Sequence, residues 1–562
     1  MAGVPQLSPS VSQDTGVRVT AQTVIPVKYA ARFWNATMTH MRCPDTPLPR
    51  RKLPIGIQTF ARIREDGCYY VDKTPHILRL IDEGTHYFLS RPRRFGKSLL
   101  IDTIAELFEG NAPLFTGLHA EQHWDWNARN PVVRISFGAG VLHSREALDG
   151  RILGLLQDNY TRLGLPLPQG QDIPGLLGHL LRQLHAQTGQ RVVVLVDEYD
   201  KPILDNITDS DTARQMRDGL RNLYSVIKDA DAHIRFAMLT GVSKFSKVSL
   251  FSGLNNLKDI TIDARYSDVC GYTDADVDTV FAPELPGLER EEIRRWYNGY
   301  NWTGQSVYNP FDLLLLFDSR QFRPYWFETG TPTFLIDVLT RHHTFTPELG
   351  QTVAMEDLLS TFDVDALAPE ALLFQAGYLT IASEFAMGAR IEYTLKYPNL
   401  EVQASLNGAL LKALKGGTSA TDRQTGQLYR LLQANDFVGL HQLFKAFFAS
   451  IPHDWYRNSP IARYEGYWAS VFYSHFAALG LDIRLEDVTH QGRIDMTVLF
   501  NGHVYLFEFK VVELVPEGRA LAQIIERAYA DKYRSRGEPI HLMGVEFSQQ
   551  TRSVVGFEVQ SL

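Results

Sequence analysis

Arg91-Pro-Arg-Arg-Phe-Gly-Lys-Ser98 follows the apolar run His86-Tyr-Phe-Leu89 and opens a helical pattern from Leu99 to Phe108. Strand, tight loop, Gly-Lys-Ser and helix, in that order, is the layout of a phosphate-binding loop. Backbone N–H groups and the helix N-terminus face a polyphosphate, the lysine meets its terminal phosphates, and the hydroxyl takes Mg²⁺. On this reading Arg94, Phe95, Gly96, Lys97 and Ser98 form the cofactor-binding stretch, and Ser98 is a metal ligand. One position departs from the pattern. The usual motif begins with Gly five positions before Gly96, and Arg91 stands there.

A second stretch strengthens the first. Val192-Val-Val-Leu-Val196 is a continuous apolar run, which reads as a strand buried on both faces, and Asp197-Glu198 follows it. An Asp at the C-terminal end of such a strand holds Mg²⁺ directly or through water, and the adjacent Glu orients and deprotonates the attacking water. A third strand, Ile234 to Leu239, ends in Thr240-Gly-Val-Ser243. Thr240 is placed to sense a γ-phosphate. Lys244 and Lys247 come next, and a basic surface loop accounts for them equally well.

The C-terminal segment carries different chemistry. From Glu465, a helical pattern puts Trp468, Val471, Phe472, Phe476 and Leu479 on one face. Gly492 to Phe500 reads as a strand, Asn501-Gly502 as a hairpin turn, and His503 to Lys510 as the return strand. Alternation places Glu508 and Lys510 on one face, and the hairpin brings Asp495 alongside Glu508. Two acids and a lysine at one sheet end suit metal-dependent phosphodiester cleavage. The carboxylates Asp495 and Glu508 hold a hard cation, and Lys510 positions water or stabilises developing charge.

Composition sets the frame. A chain of 562 residues with 44% hydrophobic content has material for two or three domains, and 21% charged residues mark the bulk as globular. The net charge of −8 leaves no global basic footprint for nucleic acid, so any such contact must be a local cleft. Cys43, Cys68 and Cys270 are scattered, with no metal spacing or disulfide framework, which fits a reducing, cytoplasmic setting. His342-His343 reads as a surface pair. No apolar run approaches the length of a membrane span, and no signal peptide is expected.

Residues 1–51, rich in Ser, Thr, Val and Pro, read as a flexible tail. Met41 within it is a candidate start, and Asn35-Ala-Thr37 a chance glycosylation pattern. Residues 52–265 alternate strand and helix patterns, Val132-Val-Arg-Ile-Ser136 among them. The expected fold class is α/β, a parallel sheet with helices on both faces and ligands at the strand C-termini. Residues 266–459 read as a mainly helical lid or connector with a strand pair near Tyr378–Ser383 and Ile391–Leu395, and residues 460–562 as a second α/β domain. The aromatic turn Trp296-Tyr-Asn-Gly-Tyr-Asn-Trp302 is expected to pack on its own domain. No internal repeat of solenoid length is present.

Together these residues resemble a known family, the AAA-ATPase-like proteins fused to a C-terminal PD-(D/E)XK nuclease domain. The resemblance is carried by Leu53-Pro-Ile-Gly-Ile-Gln-Thr-Phe60, Tyr70-Val-Asp-Lys-Thr74, Arg91 to Ser98, Val196-Asp-Glu-Tyr-Asp-Lys-Pro202, Thr240-Gly-Val-Ser-Lys-Phe-Ser246, Trp296-Tyr-Asn-Gly-Tyr300 and Trp326-Phe-Glu-Thr-Gly-Thr331. In that family the loop itself begins with Arg, which makes Arg91 a family trait. The resemblance implies ATP and Mg²⁺ as cofactors, with Glu198 activating water. It implies Glu465 as the helix acid of the nuclease site, beside Asp495, Glu508 and Lys510, and Gln523 as the polar residue of the later helix, with Tyr529 and Tyr533 lining the cleft. Nucleic acid, DNA or RNA, is the implied partner; self-association as a homo-oligomer is left open. Asp72-Lys-Thr74 either shapes a base pocket or caps the next helix, and an arginine finger such as Arg341 is not singled out. The function expected is an ATP-hydrolysing module controlling a Mg²⁺-dependent nuclease. The alternative is a nucleotide switch or scaffold whose C-terminal domain binds nucleic acid or protein without cutting.

Overall fold

The valine-rich run ending at Asp197 becomes the strand around which the N-terminal half is built. The structure is a computed structural model, and it describes residues 49–562 apart from 245–255, 331–334, 337–338, 340–347, 360–367, 416–418 and 450–464. The expected tail up to residue 48 (Asn35, Met41 and Cys43 included), Lys247, Arg341 and His342-His343 lie outside the described residues. Strands β1 (His86–Ser90), β2 (Val132–Ser136), β3 (Val192–Asp197), β4 (Ile234–Gly241) and β5 (Lys258–Asp259) pair in parallel in the order β2-β3-β4-β1-β5. Every residue of β1 and β3 is buried, which requires cover on both faces of the sheet. Helices α1 (Thr74–Glu83), α2 (Lys97–Glu109), α3 (Arg145–Arg162), α4 (Ile173–Thr188) and α5 (Ser210–Asp229) provide it. Their Leu80, Ile104, Leu156, Leu180 and Leu223 share one core with Val193, Leu195 and Leu239. The α/β expectation is met. Because β4 lies between β1 and β3, the loop after β1 and the acids after β3 leave the same sheet end with Thr240 between them.

The segment that follows braces that end. Tyr297, Tyr300 and Trp302 are buried, but the aromatic turn does not pack only on its own segment as expected: Tyr300 and Trp302 lie against Phe95 and Trp302 against Arg91. Gly299 has φ +111°, and a Cβ there would meet Pro398 O at 2.0 Å. Asn309 caps helix α6 (Pro310–Ser319), its side chain accepting from Phe311 N at 3.0 Å with Pro310 in the first turn. Helix α7 (Tyr325–Gly330) follows. Strands β6 (Val353–Met355), β7 (Thr380–Met387) and β8 (Arg390–Lys396) form an antiparallel sheet in the order β6-β8-β7. Two of these were expected, whereas β6, three residues long, is too short to show a period. Helix α8 (Leu400–Lys415) leads towards the C-terminal domain, where its Gln403 Nε2 donates to Tyr473 OH at 3.2 Å.

Helix α9 (Phe437–Ala449), which lies before the expected boundary at residue 460, shares a core with the C-terminal domain, whose elements are α10 (Glu465–Ala477), β9 (Asp482–Thr489), β10 (Gly492–Phe500), β11 (His503–Val512), helix α11 (Arg519–Glu526), β12 (Ile540–Ser548) and β13 (Val554–Ser561). The sheet order is β13-β12-β11-β10-β9, with β11 and β12 parallel and the other pairs antiparallel. The connection between the parallel pair carries α11, as such a pair demands. Trp468, Val471, Phe472 and Phe476 of α10 pack with Phe507, Phe509 and Phe547, as the helical pattern predicts. A second core, with Ile494, Leu506, Ile524 and Tyr533, includes α11. Asn501 (φ 51°) and Gly502 (φ 74°) are both left-handed, the signature of the two-residue hairpin turn, and Phe500 pairs with His503 across it. Among the described residues no helix is long and apolar enough to cross a membrane.

The Gly299 contact gives a stability prediction. Replacing Gly299→Ala forces a methyl into a backbone carbonyl at a left-handed position, and should cost on the order of 3 kcal/mol or more. Thermal denaturation of parent and variant measures it.

Candidate functional site

The phosphate loop is shaped by residues whose side chains mostly leave it. Gly96 (φ 90°) and Arg94 (φ 70°) are left-handed, which folds the loop back onto the N-terminus of α2. Lys97 is buried and its Nζ donates to Arg91 O and Pro92 O, both at 2.9 Å. Burial lowers its pKa, and the charge of Asp197 opposes that shift. Arg91 is 0% exposed and points away from the cavity. Its Nη1 donates to Ser90 O and Thr261 O and its Nη2 to Tyr266 O, all at 2.9 Å, while its guanidinium carbon lies 3.9 Å from the Trp302 ring centre. Phe95 places its ring against Tyr300 and Trp302, at 4.7 and 5.6 Å between centroids. Arg94 lies over Phe311 at 4.8 Å, and Trp326 Nε1 donates to Arg93 O at 3.1 Å.

The acids meet this loop as the strand order requires. Asp197 Oδ1 accepts from Thr240 Oγ1 at 2.8 Å and from Glu198 N at 3.1 Å. Thr240 is completely buried, so its hydroxyl fixes Asp197 instead of facing a ligand directly. Glu198 is left-handed at φ 52°, and its pKa is raised by burial first and by Asp197 second. Asp200, to which the sequence alone assigns no role, is buried and ties the end of β3 to the end of β4. Its Oδ2 accepts from Val242 N at 3.0 Å, Ser243 N at 2.6 Å and Ser243 Oγ at 2.7 Å. A second acid three residues after Asp197 was the available signal. Lys244 is ion-paired with Asp259, which decides against a bare surface lysine.

Two cavities open here. One of about 440 Å³ is lined by Gly96, Lys97, Ser98, Glu198 and Asp200 together with Ile57, Tyr70, Lys73, Tyr272, Phe311 and Leu314. The neighbouring one, about 380 Å³, is lined by Ser98 and Asp197 together with Asp102 and Arg134. Asp72-Lys-Thr74 meets both the helix start and the larger cavity. Asp72 Oδ1 accepts from Thr74 N at 2.9 Å and Thr74 Oγ1 at 2.7 Å at the start of α1, whereas Lys73 lines the larger cavity and pairs with Asp276 at 3.2 Å.

In the C-terminal domain the β10–β11 ladder runs to Met496↔Phe507. One residue beyond it, Asp495 Oδ2 accepts Phe509 N at 2.8 Å, which brings this acid to the backbone beside Glu508. Glu508 is buried, and its Oε1 accepts from Lys510 Nζ at 3.1 Å and from Gln523 Nε2. Asp495, Glu508, Lys510 and Gln523 therefore converge. Glu465 opens α10, but its side chain lies outside the described residues. The expectation that Tyr529 and Tyr533 line the cleft is corrected. Both are 2% exposed in the core with Ile494 and Ile524, and Tyr533 OH donates to Asp487, not to the clustered acids.

Two residues that sequence reading missed set α11 in place. Glu546 of β12 accepts four backbone N–H groups at the helix start, Glu517 at 2.6, Gly518 at 3.1, Arg519 at 2.7 and Ala520 at 3.3 Å. Gly544, paired with Glu508 across the sheet, lets the helix approach so closely that a Cβ there would lie 2.3 Å from Leu521 N. Both act over long sequence distance, and neither carries a local motif.

Known proteins match both halves. Residues 54–251 match the family described as predicted AAA-ATPase, and residues 463–557 match the PD-(D/E)XK nuclease superfamily. An uncharacterized protein in the vnfD 5′ region of Azotobacter chroococcum mcd 1 is 69% identical over 516 residues, spanning 92% of this chain and 100% of the relative. Among solved structures, the Aeropyrum pernix ORC1 protein in complex with DNA matches 62% of this chain and 95% of its own, at 12% identity and a TM-score of 0.25, a likeness too slight to carry an argument.

The two buried anchors give stability tests. Arg91→Gly restores the usual loop glycine yet strips three buried carbonyls of their donors, and should lower stability by about 3 kcal/mol in urea unfolding. Glu546→Ala leaves four N–H groups uncapped. It should cost about 2 kcal/mol and speed hydrogen exchange at residues 517–520.

Proposed function

The chain belongs to the family of predicted AAA-ATPases fused to a C-terminal PD-(D/E)XK nuclease domain, and on that premise we propose an enzyme of two modules. ATP bound and hydrolysed in residues 52–265 controls, through residues 266–459, a Mg²⁺-dependent nuclease in residues 460–562. The observation that carries this reading is convergence. Ser98 lines both cavities, with Lys97 and Glu198 in the larger and Asp197 in the neighbouring one, while Lys510 and Gln523 bond Glu508 and Asp495 bonds the backbone beside it at Phe509 N.

The donor sets fit the groups proposed. A cavity of about 440 Å³ lined by Gly96, Lys97 and Ser98 and by aromatic and aliphatic side chains suits a nucleotide's phosphates and base. Ser98 and Asp197 would hold Mg²⁺ at the phosphates; Asp495 and Glu508 would hold it in the nuclease domain. Among the described residues no three His, Cys, Asp or Glu side chains form a ready-made metal centre. Mg²⁺ needs only one or two carboxylates when substrate phosphate and water complete its shell. When bound, the cation polarises phosphate oxygens and acidifies water.

The side chains divide the remaining work. Lys97 exchanges its two carbonyl acceptors for phosphate oxygens. Thr240 holds the Asp197 carboxylate in one orientation. Glu198, its proton affinity raised by burial, takes the proton of the attacking water. In the nuclease domain Gln523 and Lys510 fix the Glu508 carboxylate, Lys510 stands where charge develops on a cleaved phosphate, and Glu465 is the acid of helix α10. Control is supported by contacts between the modules. Trp326 bonds the loop at Arg93 O, Trp326 N donates to Glu401 Oε1 on α8 at 2.8 Å, and Gln403 on that helix reaches Tyr473 of α10.

The test uses single substitutions in the whole chain. Lys97→Ala should lose binding of a fluorescent ATP analogue, and Glu198→Gln should bind it while phosphate release falls roughly 100-fold or more. Asp495→Ala and Glu508→Ala should each abolish Mg²⁺-dependent cleavage of labelled DNA or RNA while ATP hydrolysis continues, and chelation should abolish cleavage in the parent. Parental cleavage in both acid variants would remove the nuclease assignment and leave the switch or scaffold reading.

A further inference from the structure

The face of α11 that meets Glu508 carries two further charged residues that the nuclease reading leaves unused. Gln523 Nε2 reaches Glu508 Oε1, which fixes the direction in which that face looks. Residues four apart share a helix face and are separated by about 6 Å along the axis. Arg519 and Arg527 therefore lie one step before and one step after Gln523, and the acid cluster sits between them. Arg527 is the helix C-cap and still follows the helical path. Both are exposed. Among the described residues Arg519 pairs with its neighbour Glu517, with its own side chain 70% exposed, and Arg527 Nη1 donates to the backbone at Gln491 O, 3.2 Å away. Exposed contacts of this kind are weak and easily exchanged.

The helix that carries them is held at its start by Glu546 and against the sheet by Gly544. The two guanidinium groups are thus presented from a rigid element, spaced on either side of the acids. With a chain charge of −8, attraction for a polyanion has to be local, and this stripe supplies it at the acid cluster itself. A guanidinium fork matches phosphate oxygens in two-bond geometry.

We propose that Arg519 and Arg527 form a rail for the phosphate backbone of one nucleic-acid strand, each taking a phosphate flanking the one to be cut beside the Glu508 cluster. They are positioning residues and set where along the strand the cut falls. The proposal rests on the nuclease reading.

Fluorescence anisotropy of the full chain with labelled single-stranded DNA, single-stranded RNA and duplex DNA, over a range of salt without Mg²⁺, tests it. In Arg519→Gln/Arg527→Gln the slope of log affinity against log salt should fall by about 1.4 on a single strand or about 1.8 on a duplex, and each single variant should lose about half of that. Arg519→Lys/Arg527→Lys should keep the parental slope, because a point charge still meets phosphate. Arg534→Gln, which removes an exposed charge elsewhere, should also keep it. A parental slope in the double glutamine variant overturns the rail alone. A parent that binds none of the three probes overturns the nuclease reading and the rail together, so the two failures are distinct.

Discussion

A buried guanidinium holds the phosphate loop to its domain. Taking a charge out of water is costly, and Arg91 meets that cost with three backbone carbonyls and the face of Trp302. Desolvation still pushes its pKa down to about 10, so the group remains charged at neutral pH. The carbonyls come from β1, from Thr261 and from Tyr266, so one side chain stitches together the strand before the loop and the segment beyond β5. On the other side of the same backbone Lys97 bonds the carbonyls of Arg91 and Pro92. Two cations, one structural and one facing the cavity, shape the loop between them. A glycine at position 91 would fold tightly but would tie nothing down.

The C-terminal domain solves the same problem with the opposite sign. Glu546 collects four N–H groups at the start of α11, as Arg91 collects carbonyls beside the loop. In each half a buried charged residue that takes no part in the proposed chemistry orders the backbone on which the chemistry depends. An unpaired buried ion is far costlier than a missing contact, so such anchors favour one loop geometry over its neighbours.

What was legible in the sequence follows from how local each signal is. The run Val192–Val196 announced a doubly covered strand because burial on both faces leaves no room for polar residues. Asn501-Gly502 announced its turn because few other residues accept two successive left-handed conformations. The Lys97, Ser98 and Asp197 grouping followed from short motifs on a parallel sheet, and the convergence of Asp495 with Glu508 from the hairpin. Arg91 could be noticed but not understood, since its partners lie at residues 261, 266 and 302. Thr240 was read as facing a ligand because nothing local revealed that Asp197 would claim its hydroxyl. Tyr533 was drawn towards the cleft by its place near Gln523, yet Asp487, on a strand far earlier in the chain, holds its hydroxyl in the core. Glu546 looked like any strand acid.

The aromatic bracing of the loop also makes the protein its own optical probe. Two tryptophans touch this one backbone segment, Trp302 beneath the Arg91 guanidinium and Trp326 through its indole N–H to Arg93 O. Indole emission responds to nearby cations and to the loss of a hydrogen bond. Any rearrangement of residues 91–96 is therefore written into the intrinsic fluorescence of the unlabelled chain, where stopped-flow mixing can follow it in real time.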